Sequence, residues 1–428
     1  MIMTQENMNA DGCAARSREF SSIIKILAGK VRGYLALMVG GPVLQAALLL
    51  AVTVALTALL ISLASSGVIS GAAAWAMSLV LLFPLSALAI KTMDIVVLFR
   101  PYRQHGMQVR REDSPELFGI IDDVVKTLHC RMPRRVYVNE ECDAAVCCSS
   151  LLGACFRGHD VLVIGLPMLS FFNQTELKAV IGQALGQTVR ESDRTYRMAS
   201  MASLICDADR LDEIENSGDR SLKGVMSGRI APLYRRFIRF SSDESDHIAA
   251  MAAGTDGMIS MLSKQSYGSE IYCSVMNYVS DIMNNQHRRP ESIWKVTTLF
   301  VNAVNARGGV SLLPQTHLLS TNPQAPERLL WQDKILPSYA SRCEAVRRRT
   351  AMRTAWDDAP ALMCFRSETT EKAFNGIVEN VAISIRASQF YSPAYKKIDP
   401  DTFCQDIPDE EIGVAAESAA SAILTVEI

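Results

Sequence analysis

The chain has 428 residues and a formal net charge of −2, from 43 basic and 45 acidic side chains. That near balance excludes a nucleic-acid binder relying on bulk positive charge. The length suits one large domain or two ordinary ones, and the 49% hydrophobic fraction is high for a soluble protein because the excess is localised near the N-terminus. Eleven cysteines contain no C-x-x-C pair, which argues against a zinc ribbon. In a cytoplasmic setting they stay reduced.

Residues 1–32 are polar and mixed, with Arg16, Arg18, Lys25, Lys30 and Arg32. From Gly33 to Ile90 there is no Asp, Glu, Lys, Arg or His. That run is long enough for two spans of about 20 residues each. The Ser/Gly-rich break at Ser62–Gly71 divides it into spans at about 34–60 and 72–95. The first span begins too late and runs too long for a cleaved signal peptide. Lys25, Lys30 and Arg32 precede the spans, Arg100, Arg103, Arg110 and Arg111 follow them, and the connecting loop has no basic residue. Both ends are therefore expected to be cytoplasmic. Lys91 and Asp94 read as an i,i+3 pair near the headgroups.

Ser114 and Glu116 open a predicted helix whose apolar residues Leu117, Ile120, Ile121, Val124, Val125 and Leu128 keep helical spacing. Strands are predicted at Arg135–Asn139, Ala144–Ser149 and, most clearly, Asp160–Pro167. The next helix starts at Asn173, with Glu176 three residues later completing a capping-box pattern. Residues 210–227 read as a loop or broken helix. Further helices are expected at Ile230–Gly254, Asp256–Ser263, Ser269–Met283 and Pro290–Val304. Gly254 suits a C′ position. Residues 338–392 read as helical, and Arg342, Arg347, Arg348, Arg349 and Arg353 read as a solvated face. The tail from about residue 396 is acidic, then Ala-rich, with no obvious core. Cys142, Cys147, Cys148 and Cys155 read as small buried hydrophobes, with His159 as the base candidate nearest to them in sequence.

Glu176–Gln187 reads ELKAVIGQALGQ. With the preceding PELFGIIDDVVKTL, RVYVN and VLVIGLPMLSFFNQ segments, it resembles the HtpX-like and CAAX-prenyl-protease-like family of integral-membrane zinc metallopeptidases. In that family the helix carries a phrase like ELKAVIAHELGH. Two histidines at i and i+4 hold zinc, and the intervening glutamate is the general base. Here Gln183 and Gln187 stand at the histidine positions and Ala184 at the glutamate. The family's ExxxD signature corresponds to Ser242–Asp246, with Ser242 in place of the zinc-binding glutamate and Asp246 kept. The family's HPPLxxR phrase is read at Asn322–Arg328, with Asn322 in place of histidine.

The resemblance implies an α+β, mainly helical chain. A two-helix transmembrane hairpin (33–99) follows a short cytoplasmic segment (1–32). A zincin-like cytoplasmic domain with a small β-sheet (100–335), a helical extension (336–395) and an acidic tail (396–428) complete it. Zinc is expected for the family and predicted lost here, because glutamine is a poor ligand, alanine no base and serine no carboxylate. A makeshift site from Asp243 and His247 is the one alternative metal reading. The expected function is that of a pseudoprotease acting by protein binding, as scaffold or regulator. Its groove would be lined by Gln183, Gln187, Asp246 and Asn322. The alternatives are a membrane metalloendopeptidase with a relocated or atypical metal site, or a structural membrane subunit. A protein partner or client and a lipid bilayer are the expected partners, with possible homo- or hetero-oligomers and no nucleic acid. The compact hairpin suits a bacterial inner membrane, with both termini cytoplasmic.

Overall fold

The computed structural model describes residues 2–67, 86–90, 92–93, 100–102, 106–139, 141, 143–169, 172–206, 211, 214, 222–292, 295–297, 299–300, 303, 339–349, 352–365, 368, 372, 375–376 and 396–405. The described part is mainly helical with a small mixed sheet, and it divides into two units. One comprises residues 1–102, 148–158 and 193–234; the other comprises 103–147, 159–192 and 235–428. The N-terminal segment shares its unit with residues from the middle of the chain.

In the first unit, α1 (Ile2–Ser65) runs without a break from the polar start into the apolar run. Phe20, Ile23, Ile24, Leu27, Ala28, Val31 and Tyr34 are buried at helical spacing. They pack on α6 (Arg194–Ser200), with Phe20 edge-on to Tyr196 at 6.4 Å between ring centroids. Beyond Tyr34 the helix is mostly uncovered. Ser17–Leu63 holds a window of mean hydropathy 2.6 that is only 6% buried, long and apolar enough to cross a bilayer. Pro42 lies inside it. Of the second expected span, residues 86–90 are helical and most of the rest, with Lys91 and Asp94, lies outside the described residues. α3 (Leu151–Arg157) and the start of α7 (Leu222–Ala253) also belong to this unit.

The second unit is built on a four-stranded sheet ordered β1-β2-β4-β3: β1 (Met107–Val109), β2 (Arg135–Asn139), β3 (Ala144–Cys147) and β4 (Val161–Gly165). β4 runs parallel to β2 and antiparallel to β3, and all five of its residues are buried. Its unbroken apolar run suits a strand covered on both faces. Among the described residues β3 lies at an edge of the sheet. α2 (Pro115–Leu128) buries Leu117, Phe118, Ile121, Val124 and Leu128 and packs on α5 (Gln174–Gly186). Ser114 holds the N-cap position but its hydroxyl makes no capping bond. α5 follows β4 through the single turn α4 (Leu166–Leu169). The expected capping box is complete: Asn173 accepts from the Glu176 N–H, and Glu176 accepts from the Asn173 N–H.

Several elements depart from the sequence reading. α7 starts at Leu222 and passes straight through Pro232. The two helices expected at 256–263 and 269–283 are one, α8 (Thr255–Gln286). Pro290 lies in β5 (Arg288–Pro290), which pairs in parallel with β6 (Lys396–Ile398). The helix expected over 338–392 is α9 (Tyr339–Arg349) followed by irregular chain at 352–360. That chain accepts amide protons at the start of α5: Gln174 N–H donates to Ala359 O at 2.8 Å and Thr175 N–H to Asp357 O at 3.4 Å. A helix start has such unpaired donors to satisfy. The first part of the acidic tail is core. After β6, α10 (Pro400–Gln405) buries Phe403, whose ring meets Tyr278 edge-on at 5.9 Å.

Gly254 joins α7 to α8 at φ 83°, and a Cβ there would sit 2.6 Å from Thr354 Oγ1. Both strain and crowding oppose a side chain. Gly254→Ala is expected to cost more than about 1 kcal/mol in equilibrium unfolding.

Candidate functional site

The site is assembled where α5 crosses α7. Gly182 and Gly186 lie against that helix: an added Cβ would come within 3.2 Å of Ala249 Cα and of Ser245 Cα, respectively. Small residues four apart let the two backbones approach. This close crossing brings Gln183 to Asp246, and the Gln183 amide Nε2 donates to Asp246 Oδ1 at 2.7 Å. Ala184 is buried in the helix packing, Gln187 is exposed and Ser242 is half-buried.

Asp246 is 1% exposed and is held by a third group. Arg342, on the first turn of α9, donates from Nε to Oδ2 at 2.7 Å and from Nη2 to Oδ1 at 2.8 Å. This bidentate geometry is the strong form of a carboxylate–guanidinium pair. Arg342 is itself only 5% exposed, so it is not part of a solvated face. Arg347, Arg348 and Arg349 are exposed on α9, and Arg353 is exposed in the irregular chain beyond it. The sequence reading had placed Arg342 among solvated arginines and so missed its part in the site. Asn322 lies outside the described residues.

A second carboxyl belongs to the same neighbourhood. Asp143 precedes β3, and its Oδ1 accepts from the Ala144 N–H at 2.7 Å and from Gln265 Nε2 at 3.1 Å. Burial pushes its pKa up to about 6, with Glu141 adding to the rise. The Ala144 N–H, Arg342 and Gln265 pull the other way. In the unfolded chain this carboxyl titrates near 4. Between those values the folded state holds a proton that the unfolded state has lost, so Asp143 makes stability fall as pH rises from about 4 to about 6. Asp143→Asn is expected to gain stability relative to the native chain across that window and to hold a constant difference above it. Thermal unfolding of both proteins over the range measures this.

In the makeshift metal pair, Asp243 accepts from Arg349 Nη1 at 2.7 Å, and the neighbouring Glu244 pairs with Arg190. Burial and then Arg349 hold the His247 pKa below its ordinary value, against Asp243, and burial raises that of Glu244. Among the described residues no three of His, Cys, Asp and Glu are grouped to hold a metal ion. The zinc implied by the resemblance does not fit this donor set, which offers two amides, a methyl and a hydroxyl, with the one carboxylate already taken by a guanidinium. His159, the base candidate, has its Nδ1 against Glu191 Oε1, while its backbone N–H donates to Glu191 Oε2 at 2.8 Å. The described cysteines are free, and Cys148, Cys206, Cys343 and Cys364 are buried.

One more buried polar partner was missed, Lys264. Glu176 is fully buried, and beyond its capping role it accepts from Lys264 Nζ at 2.7 Å and from Ser260. This pair fastens the start of α5 to α8.

No protein-family model, no curated protein and no solved structure matches the chain.

Proposed function

We propose that the chain is a membrane-anchored pseudoprotease, a degenerate relative of the integral-membrane zinc metallopeptidases that acts by binding protein. The observation that carries this reading is the fate of Asp246. Its two oxygens are used by Gln183 and Arg342, and positions 183, 184, 187 and 242 hold two glutamines, an alanine and a serine in place of zinc ligands and a base. What remains beside the site is a binding framework. Among the described residues β3 is an edge strand antiparallel to β4, next to α5, and an extended peptide can pair with such an edge. The apolar stretch of α1 supports an integral-membrane location, and the flanking arginines and lysines support cytoplasmic termini.

The test is an endopeptidase assay on the intact chain in mild detergent, using an unfolded protein substrate, alongside affinity capture of bound protein. The expected result is no cleavage and a partner that is lost on Val146→Pro, which removes a ladder donor from β3. Cleavage that survives purification and disappears with a single substitution would overturn the reading.

A further inference from the structure

The first unit contains a surface whose position relative to the apolar helix is fixed by side-chain contacts within the unit. α1 is packed from Phe20 to Tyr34 and uncovered beyond, and the uncharged run begins at Gly33. The helix therefore leaves its protein partners where it loses its charges. Phe20 touches Tyr196 at one end of the packed stretch. At the other end, Lys30 Nζ donates to Arg229 O at 3.1 Å. Cys206 Sγ lies 3.7 Å from Ser227 O, so the turn that ends α6 meets the same part of α7. α6 and the 3-10 turn Met201–Leu204 thus run beside α1 toward Tyr34, and α7 starts from the same end. Lys30 is four residues before Tyr34, roughly 6 Å along a helix.

At that end two large apolar side chains are left in the open: Leu204 is 37% exposed and Val225 is 40% exposed. Arg32 is exposed as well. Exposed apolar side chains at the same end of the unit as Lys30, Arg32 and Arg229 match the chemistry of the bilayer interface, with acyl-chain roots and phosphates side by side.

We propose that this end of the bundle is seated in the headgroup layer, with Leu204 and Val225 in contact with lipid and Lys30, Arg32 and Arg229 facing lipid phosphates. The inference rests on the reading of α1 as a membrane span. It adds that the first unit sits on the bilayer as a collar around α1.

The test uses the full chain with Trp75, Trp294, Trp331 and Trp356 replaced by phenylalanine, in vesicles of phosphatidylcholine and phosphatidylglycerol. Single tryptophans are placed at Leu204, Val225, Leu48 and Tyr196, and brominated phosphatidylcholine is the quencher. Leu48→Trp reports on the span and Tyr196→Trp on the far end of the bundle, roughly 20 Å along α1 from Tyr34. Quenching at Leu48, Leu204 and Val225, with none at Tyr196, is expected. Quenching at Leu48 without quenching at Leu204 and Val225 overturns the collar and leaves the span intact. An unquenched Leu48→Trp overturns both. If the tryptophan-free chain does not fold, a benzophenone amino acid at position 204 of the otherwise native chain replaces it. A lipid adduct on irradiation supports the collar, and its absence beside a lipid adduct from position 48 overturns it.

Discussion

Lys264→Met is expected to destabilise the chain by about 3–5 kcal/mol, because it leaves Glu176 as a buried carboxylate without its cation. Lys264 is 2% exposed and Glu176 is fully buried, so water cannot replace the lost ammonium. Glu176 accepts at both oxygens, from Lys264, Ser260 and the Asn173 N–H. Loss of the ammonium leaves it with two neutral donors. Glu176→Leu removes the carboxylate but strands the ammonium and opens the capping box, so its cost is of the same order. The double substitution removes both charges and is expected to cost less than the sum of the two. Equilibrium unfolding of the detergent-solubilised protein gives all three values. Additive costs would show that the two charges do not support each other.

Arg342→Met is the second large effect, again about 3–5 kcal/mol, for the same reason at Asp246. Here the consequence extends to the site. Asp246 is the shared acceptor of Arg342 and Gln183, so its loss of the guanidinium also removes the buried link between α9 and α7 and leaves the more exposed Arg349–Asp243 pair. Arg342→Lys is expected to recover only part of the stability, because an ammonium cannot make the two parallel bonds that Nε and Nη2 make. Asp246→Asn removes the charge and keeps one acceptor, but it leaves the guanidinium buried without a counter-charge. A recovery by Arg342→Lys equal to the native protein would show that charge alone, not the bidentate geometry, holds α9.

Much of the scaffold was legible in the sequence because its signals are local. The β-rich runs at 135–139 and 161–165 and the Asn173/Glu176 capping box each sit within a few residues of one another. The helix register of ELKAVIGQALGQ placed Gln183 and Gln187 on one face, and Asp246 was named for the same groove. What escaped depends on partners far along the chain. Arg342 lies 96 positions from Asp246 and Lys264 lies 88 from Glu176. Among other arginines on a charged helix, nothing local marks the one that is buried. β5 and β6 span three residues each, too few to show an alternating pattern. The packed stretch Phe20–Tyr34 did have a helical apolar period, obscured by the charges on its other face.

Where α5 crosses α7, Gln183, Asp246 and Arg342 form a hydrogen-bonded and ion-paired joint, and the proposed function requires that this joint hold no metal. The most direct measurement is metal content per chain, by mass spectrometry of the intact protein purified without chelators in zinc-supplemented buffer. The account predicts no stoichiometric zinc, and the same trace level in the native protein and in Asp246→Asn. One zinc ion per chain, tightly held and lost on substitution of Asp246, Asp243 or His247, would contradict it.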